Sequence, residues 1–430
     1  MPARRASAGS HPGRRPTRQP NGADRRVCGA RAQTCGTTTT REKHMFHHTL
    51  RLSALALACA SLGALADTTI YGKINLSLEH VAARGAGNGQ DILPMQRVTS
   101  NLSYLGFKGE EDLGDGLKTV WQVEQDINPD NCSGSCGGFA NRNSFVGLKG
   151  SWGRAIAGRY DMYWTSHIAG MESRIINTGL AGSILSVFGT FGGYNPTPGN
   201  SKRGTAALMG GRAVNVLRYD TPNLDGWTGS LSYATGETRG ASGSPSAWQI
   251  ESDYKKGQLV ANLVYLHAND SNGSLTNTSG AAYDGMRTDA AKLVTAWRFD
   301  QGTLLGLGAE YLATRYPEGG RVRRMAYAMH LGQSLSPAAY VGMTVGRAGR
   351  VNSSVAGAAN TDDTGARFIS MIASYNLSKR TMVYAEFARL YNAANAGYYF
   401  VSTGNLNASG LSAGKGADPR SLMIGMNHTF

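Results

Sequence analysis

The sequence predicts an all-β protein: a sixteen-stranded antiparallel sheet closed into a transmembrane β-barrel. Three observations predict it. Runs of about ten residues recur with one apolar and one charged face, the signature of strands between lipid and a wet lumen. Glycine occurs 57 times in 430 residues, a density that suits many turns and strands. Short turns also alternate with long polar loops along the chain.

The first elements lie outside that pattern. Residues 1–66 hold eleven of the 43 basic and two of the 29 acidic residues, so the formal charge of +14 shrinks to +5 for the remainder. A nucleic-acid partner loses its main support once the charge is located. Within this segment "MFHHTLRLSALALACASLGALA" reads as a secretory signal over residues 45–66: a basic n-region ending at Arg51, an apolar stretch from Leu52 to Leu65, and a small-x-small cleavage site ending at Ala66. That stretch is too short to span a membrane as a helix. Residues 1–44 are Arg-, Ser- and Thr-rich and aperiodic, and read as a wrongly assigned upstream start or a disordered extension. The mature chain, residues 67–430, then begins at Asp67.

In "TIYGKINLSLE" one face carries Ile70, Ile74, Leu76 and Leu78, and the other Tyr71, Lys73, Asn75, Ser77 and Glu79. In "LKTVWQVEQD" Leu117, Trp121 and Val123 oppose Lys118, Gln122, Glu124 and Asp126. A soluble sandwich would join two apolar faces and turn the polar ones to water; faces this charged on strands this long fit a barrel with apolar exterior and wet interior. "YLGFKG" and "FVGLKG" read as one hairpin element used twice. Short connections such as "EDLGDG", "SWG", "PNLDG", "DQG" and "NLSKR" alternate with long ones at 81–98, 129–142, 161–212, 268–288, 350–365 and 392–418. The runs between them number sixteen, an even count as bacterial barrels require.

The chain ends on "SLMIGMNHTF", where Leu422, Ile424, Met426, His428 and Phe430 share one face and only Met423 breaks the alternation. A terminus apolar to its last residue belongs inside a sheet, and a closed sheet has no free edge.

Chemistry-bearing motifs are scarce. The mature chain has no HExxH, GxSxG, GxGxxG or Walker A pattern, and its histidines, His80, His167, His267, His330 and His428, lie far apart in sequence. No cofactor, metal site or catalytic residue is expected. Two of the five cysteines survive cleavage, Cys132 and Cys136 in "NCSGSCGG"; in an exported protein this spacing points to a small loop disulfide, since no second ligand pair accompanies it for zinc.

Several blocks in order, "TIYGKINLSL", "YLGFKGEEDLGDGLKTVWQVE", "NRNSFVGLKGSWGRAIAGR", "NVLRYDTPNLDGW", "YNLSKRTMVYAEFA" and "IGMNHTF", resemble the trimeric general porins of Gram-negative outer membranes, of the β-proteobacterial type. The resemblance covers residues 67–430. It implies a homotrimer in the outer membrane, contact with outer-membrane lipid and lipopolysaccharide, passive diffusion of small hydrophilic solutes, and an assembly machinery that reads the C-terminal strand ending in Phe430. It also implies that the long third extracellular loop, here 161–212, folds into the lumen. On that basis the pore constriction is expected to involve Arg142 and Arg212 on the wall, Tyr104 where the family has Arg, and Glu172 and Asp161 as carboxylates. Arginines facing a constriction favour anions, and Tyr104 in place of one of them weakens the preference. Arg97, Arg159 and Arg218 are further lining candidates. The alternative readings are an adhesin or binding barrel using its long loops, and a barrel-borne hydrolase.

The resemblance also places the loop 129–142 over a neighbouring subunit, where a Cys132–Cys136 bond would stiffen it. Reduction is expected to lower the melting temperature of the assembled protein, at the low end of ~2–4 kcal/mol for so small a ring. A melt that is the same with and without reductant would contradict this.

Overall fold

In hydrocarbon no water answers an unpaired backbone N–H or C=O, so strands with a lipid-facing side are stable only in a sheet that closes on itself. The computed structural model describes residues 67–130, 138–163, 170–196, 211–237, 243–270, 284–400 and 413–430, and among these the chain forms such a sheet. Its segments are β1 (Asp67–Arg84), β2 (Ile92–Ser100), β3 (Tyr104–Gly114), β4 (Leu117–Asp126), β5 (Ser144–Gly150), β6 (Gly153–Met162), β7 (Gly211–Asp220), β8 (Trp227–Thr235) and β9 (Ser246–Lys256). The second half comprises β10 (Leu259–Asn269), β11 (Arg287–Arg298), β12 (Thr303–Arg315), β13 (Arg321–Ser334), β14 (Ala339–Ala348), β15 (Asn352–Ser353), β16 (Ala366–Asn376), β17 (Thr381–Asn392) and β18 (Asp418–Thr429).

Sixteen of these units span the barrel. Both β2 and β3 pair with β1, opposite its two halves, and so form one stave. Asn101 to Ser103 interrupt it, with Leu102 at φ 54°. Across the break both backbone groups of Asn75 keep partners, because Asn101 N donates to Asn75 O and Asn75 N donates to Ser103 Oγ. The two-residue β15 is a bridge within a loop, against β13. All pairings are antiparallel, and β18 returns to β1 with Lys73 opposite Thr429 and Arg84 opposite Asp418.

Phe430 completes that seam. Its N–H donates to Gly72 O and its carbonyl accepts from Gly72 N, each at 3.1 Å. A side chain at position 72 would sit 2.6 Å from the Phe430 ring and 2.7 Å from Tyr104 O, so glycine there makes room for the terminal aromatic.

The predicted faces stand. Ile70, Ile74 and Leu78 point outward with 61, 41 and 58 % exposure, whereas Lys73, Asn75, Ser77 and Glu79 are buried inside. On β18 Leu422, Ile424 and Met426 are exposed, and Ser421 and Asn427 are buried. Two features differ from the sequence reading. The expected loop 81–98 is mostly strand, because β1 runs on to Arg84 and β2 starts at Ile92; Val81, Ala83 and Ile92 pack with Ala417 in a small cluster that extends the wall beyond the band of exposed apolar residues. The inner face is also not charged all the way round. On β11, β13, β16 and β17 it carries Val294, Ala326, Phe368, Ala388 and Leu390, packed against Ile184, Val187 and Phe188 of the segment between β6 and β7. The inward Met423 belongs to the same cluster, and a side chain at Gly179 would collide with its sulfur. Residues 1–66 and the Cys132–Cys136 pair lie outside the described residues.

Placing arginine at Ile424, in the middle of the outward face of β18, is predicted to cost roughly 2–4 kcal/mol of folding free energy in a bilayer. Urea unfolding in lipid vesicles measures it, and a loss below about 1 kcal/mol would mean that this face does not meet lipid.

Candidate functional site

The site is built from one irregular segment and the inner faces it meets. Residues 170–196 contain two short 3-10 turns, Ile175–Asn177 and Ile184–Ser186, and few residues able to form a long amphipathic helix. Backbone groups left unpaired by so irregular a path must find side-chain partners. Two buried carboxylates on the barrel wall supply several of them.

Glu386 on β17 accepts from Thr178 Oγ1 at 2.6 Å, Gly179 N at 3.0 Å and Gly182 N at 2.7 Å. Ser370 on β16 donates to Gly182 O at 3.0 Å. Glu310 on β12 accepts from Gly189 N at 2.7 Å, Tyr163 Oη at 3.0 Å and Arg324 Nη2 at 2.8 Å. Lys292 on β11 donates to Tyr163 O at 2.6 Å. From the two strands of the seam, Lys73 and Asn75 on β1 reach Ile176 O and Thr178 O, and Asn427 on β18 reaches Asn177 O. A buried carboxylate is expensive unless several donors answer it, and each of these has at least three.

Contact is close where strands lack side chains. A side chain at Gly306 would collide with Met171, and one at Gly346 would stand 3.1 Å from Val187. The apolar residues of 170–196 thus fill dents in the inner wall of β11 to β17.

The wall of β3 to β7 is different. Arg142 donates to Asp126 at 2.7 Å, lies 3.3 Å from Glu124 and stacks over Tyr104 at 4.5 Å from the ring centroid. Tyr71 Oη donates to Glu124 at 2.8 Å. Asp161 forms an ion pair with Arg212 across β6 and β7 at 3.4 Å and accepts from Asn143 at 3.1 Å. Arg218 pairs with Asp220 at 2.7 Å and Glu251 at 3.5 Å, and Arg97 with Glu79. Arg159 donates to Asn141 O. Open space of about 1040 Å³ follows this wall, edged by Lys108, Glu110, Lys118, Lys149 and Arg154, and about 390 Å³ lies beside Asp161, Arg218, Glu251 and Asp253.

Of the five residues expected together, Tyr104 and Arg142 are in contact, and Asp161 and Arg212 form a second pair. Glu172 is elsewhere: it is 2 % exposed and accepts from Ile184 N and Ser183 Oγ, so it braces the second 3-10 turn instead of facing open space. The sequence reading missed Glu310 and Glu386. Their signal was a charge placed among small inward residues of otherwise apolar strands. Among the described residues no group of three or more His, Cys, Asp or Glu side chains could hold a metal ion. His267 meets Asp289 at 2.7 Å on the outer face, and His330 meets Thr344 and Tyr340 inside.

Comparison with known proteins agrees with this architecture. A family model described as Gram-negative porin matches residues 52–395. The major outer membrane protein P.IB of Neisseria meningitidis serogroup B / serotype 15 is 33% identical over 211 residues, covering 48% of this chain and 55% of that protein. P.IA from serogroup A / serotype 4A is 30% identical over 217 residues, 46% of this chain and 49% of that one. The chain thus spans about half the length of the curated relatives it matches. In fold it is similar to an anion-selective porin from Comamonas acidovorans, with TM-score 0.61 and 21% identity over 85% of this chain and 100% of that one. It is similar also to OmpT of Vibrio cholerae, with TM-score 0.55 and 12% identity over 86% and 100%.

Glu386→Ala would strand three donors of the buried segment, at about 1–3 kcal/mol for each group left unanswered. Trypsin is then expected to cut after Arg174 faster than in the parent barrel, with the outer strands still intact. Equal cleavage rates would show that Glu386 does not hold the segment.

Proposed function

The chain belongs to the Gram-negative porin family, and from that membership we propose that it forms a water-filled channel through which ions and small hydrophilic solutes diffuse passively. The protein resides in the outer membrane. The observation that carries the proposal is the asymmetry of the inner face: residues 170–196 pack against apolar side chains of β10 to β17 and of the long-loop ends of β7 to β9, whereas β3 to β6 and the short-turn ends of β7 to β9 border open space and carry charge.

In this reading 161–212 is the third extracellular loop, and it narrows the lumen against the wall of Arg142, Tyr104, Asp161 and Arg212. Glu310 and Glu386 are its anchors. Solutes pass by a polar wall whose fixed charges replace part of their hydration, and no chemistry is done on them. Weak anion preference is proposed. It is supported by Lys108 beside the larger space, where Lys118 and Lys149 share the single carboxylate of Glu110 and Arg154 pairs with Asp220, and by the anion selectivity named for the Comamonas neighbour. Opposing carboxylates limit it, because Arg142 and Arg212 are both ion-paired and a paired charge projects a smaller field. Residues 45–66 would be removed on export; β1 begins at the next residue, Asp67. A homotrimer, and recognition of the Phe430 strand by the assembly machinery, complete the proposal.

Purified protein in a planar bilayer tests it. Stepwise conductance in groups of three is expected, with a reversal potential of anion sign under a salt gradient. Arg142→Gln leaves Glu124 and Asp126 uncompensated and should move the reversal potential toward cations. A silent bilayer from folded protein would overturn the channel reading and favour a plugged adhesin or enzyme barrel.

A further inference from the structure

The charged wall of the open lumen contains an apolar patch that the diffusion of ions does not use. On the inner face of β3 to β6, cross-strand register sets the side chains in three rows. Nearest the constriction stand Lys108, Gln122, Phe145 and Gly158. Nearest the short turns stand Asp112, Lys118, Lys149 and Arg154, with Asp220 next on β7. The row between them is Glu110, Val120, Gly147 and Ile156.

That middle row brings one charge and a low apolar floor. Ile156 leans over Gly147, where a β-carbon would lie 2.7 Å from its Cγ2. Val120 and the half-buried Phe145 both border the open space of about 1040 Å³. The Phe145 ring is braced by Tyr160, with centroids 5.7 Å apart, and Arg154 lies 5.5 Å over it. Apolar surface facing water is costly, and a solute with an apolar body removes that cost by covering it.

The rim of the floor is basic and short of acid. Lys118 and Lys149 share Glu110 at 3.6 and 3.2 Å, and Arg154 and Arg218 share Asp220. Asp112 accepts from Gly114 N within its own turn. Lys108 is exposed and forms no ion pair among the described residues, its ammonium lying 5.0 Å over the Tyr71 ring. Lys108 and Phe145 stand two strands apart, roughly 10 Å, a gap that a lysine stem and a six-membered ring span together.

We propose that this niche binds aromatic carboxylates, with the ring on Phe145 and Val120 and the carboxylate meeting Lys108. This rests on the channel reading, since the niche is reached through the lumen, and adds a solute class to it. The niche lies between the Arg142–Tyr104 contact and the short turns, so a solute that has passed the constriction meets it before leaving the barrel. Flux of such acids then levels off with concentration, whereas flux of chloride, which has no apolar body to place on the floor, keeps rising.

The test uses the folded full-length protein in detergent, with benzoate as probe and saturation-transfer NMR as a readout that needs no conductance. Benzamide keeps the ring without the charge, and acetate the charge without the ring. Benzoate is expected to bind saturably, and each of the others at least about tenfold more weakly. Phe145→Ala and Lys108→Gln, each checked for a folded barrel by heat-dependent migration on a gel, should each weaken benzoate binding about tenfold. Lys108 is exposed, so its variant keeps the test open if Phe145→Ala does not fold. Benzoate binding no tighter than acetate or benzamide, or unchanged in the folded variants, would overturn the site. In bilayers of the same preparation, conductance without benzoate binding overturns the site alone, and benzoate binding by a barrel that passes no current keeps the site and overturns the channel.

Discussion

Closure of the sheet is the constraint on which everything else depends. Lipid cannot satisfy a backbone donor, so the first strand must find the last, and β1 meets β18 along twelve residue pairs. Phe430 adds a further pair of hydrogen bonds at the rim, with its ring set against Gly72. Once the ring is closed, the two faces have different solvents. Leu78 and Ile424 face out at 58 and 67 % exposure, and the interior is left for groups that need water or each other.

The interior then divides. A closed cylinder of this size cannot fill its lumen with strand side chains alone, and half of its wall is instead packed by residues 170–196. Small and apolar inward residues such as Gly306, Ala326, Ala388 and Leu390 make that contact possible. Glu310 and Glu386 fix it by gathering backbone N–H groups that have no ladder partners. Phe191 and Tyr194 extend the packing to the long-loop ends of β7 to β9, and arginine and carboxylate pairs on β3 to β7 stay beside open space.

Much of the fold was legible because side-chain direction in a strand repeats every two residues. The alternation in β1, β4 and β18 assigned lipid and lumen faces correctly, and the spacing of turns gave the right number of staves. Met423 was an unexplained exception in that pattern, since its partner lies more than two hundred residues away in Gly179. The same non-locality hid the anchors. Glu386 reads locally as one more lumen charge, and only the path of a distant segment makes it a receptor for Gly179 and Gly182. Glu172 was misplaced for the same reason: its acidity was visible, but its partner, the turn at Ile184–Ser186, lies twelve residues on in an irregular path. The extension of β1 to Arg84 was missed because the polar turn beyond it dominated the local composition.

The central claim is that the inward segment is a fixed part of the wall. Hydrogen exchange of the Gly179, Gly182 and Gly189 amides in the folded barrel tests this most directly, because all three donate to buried carboxylates. The structure predicts protection comparable to that of the neighbouring strand amides on β16 and β17. Exchange as fast as in an unstructured surface loop would contradict it, and the division of the lumen into a filled and an open half would go with it.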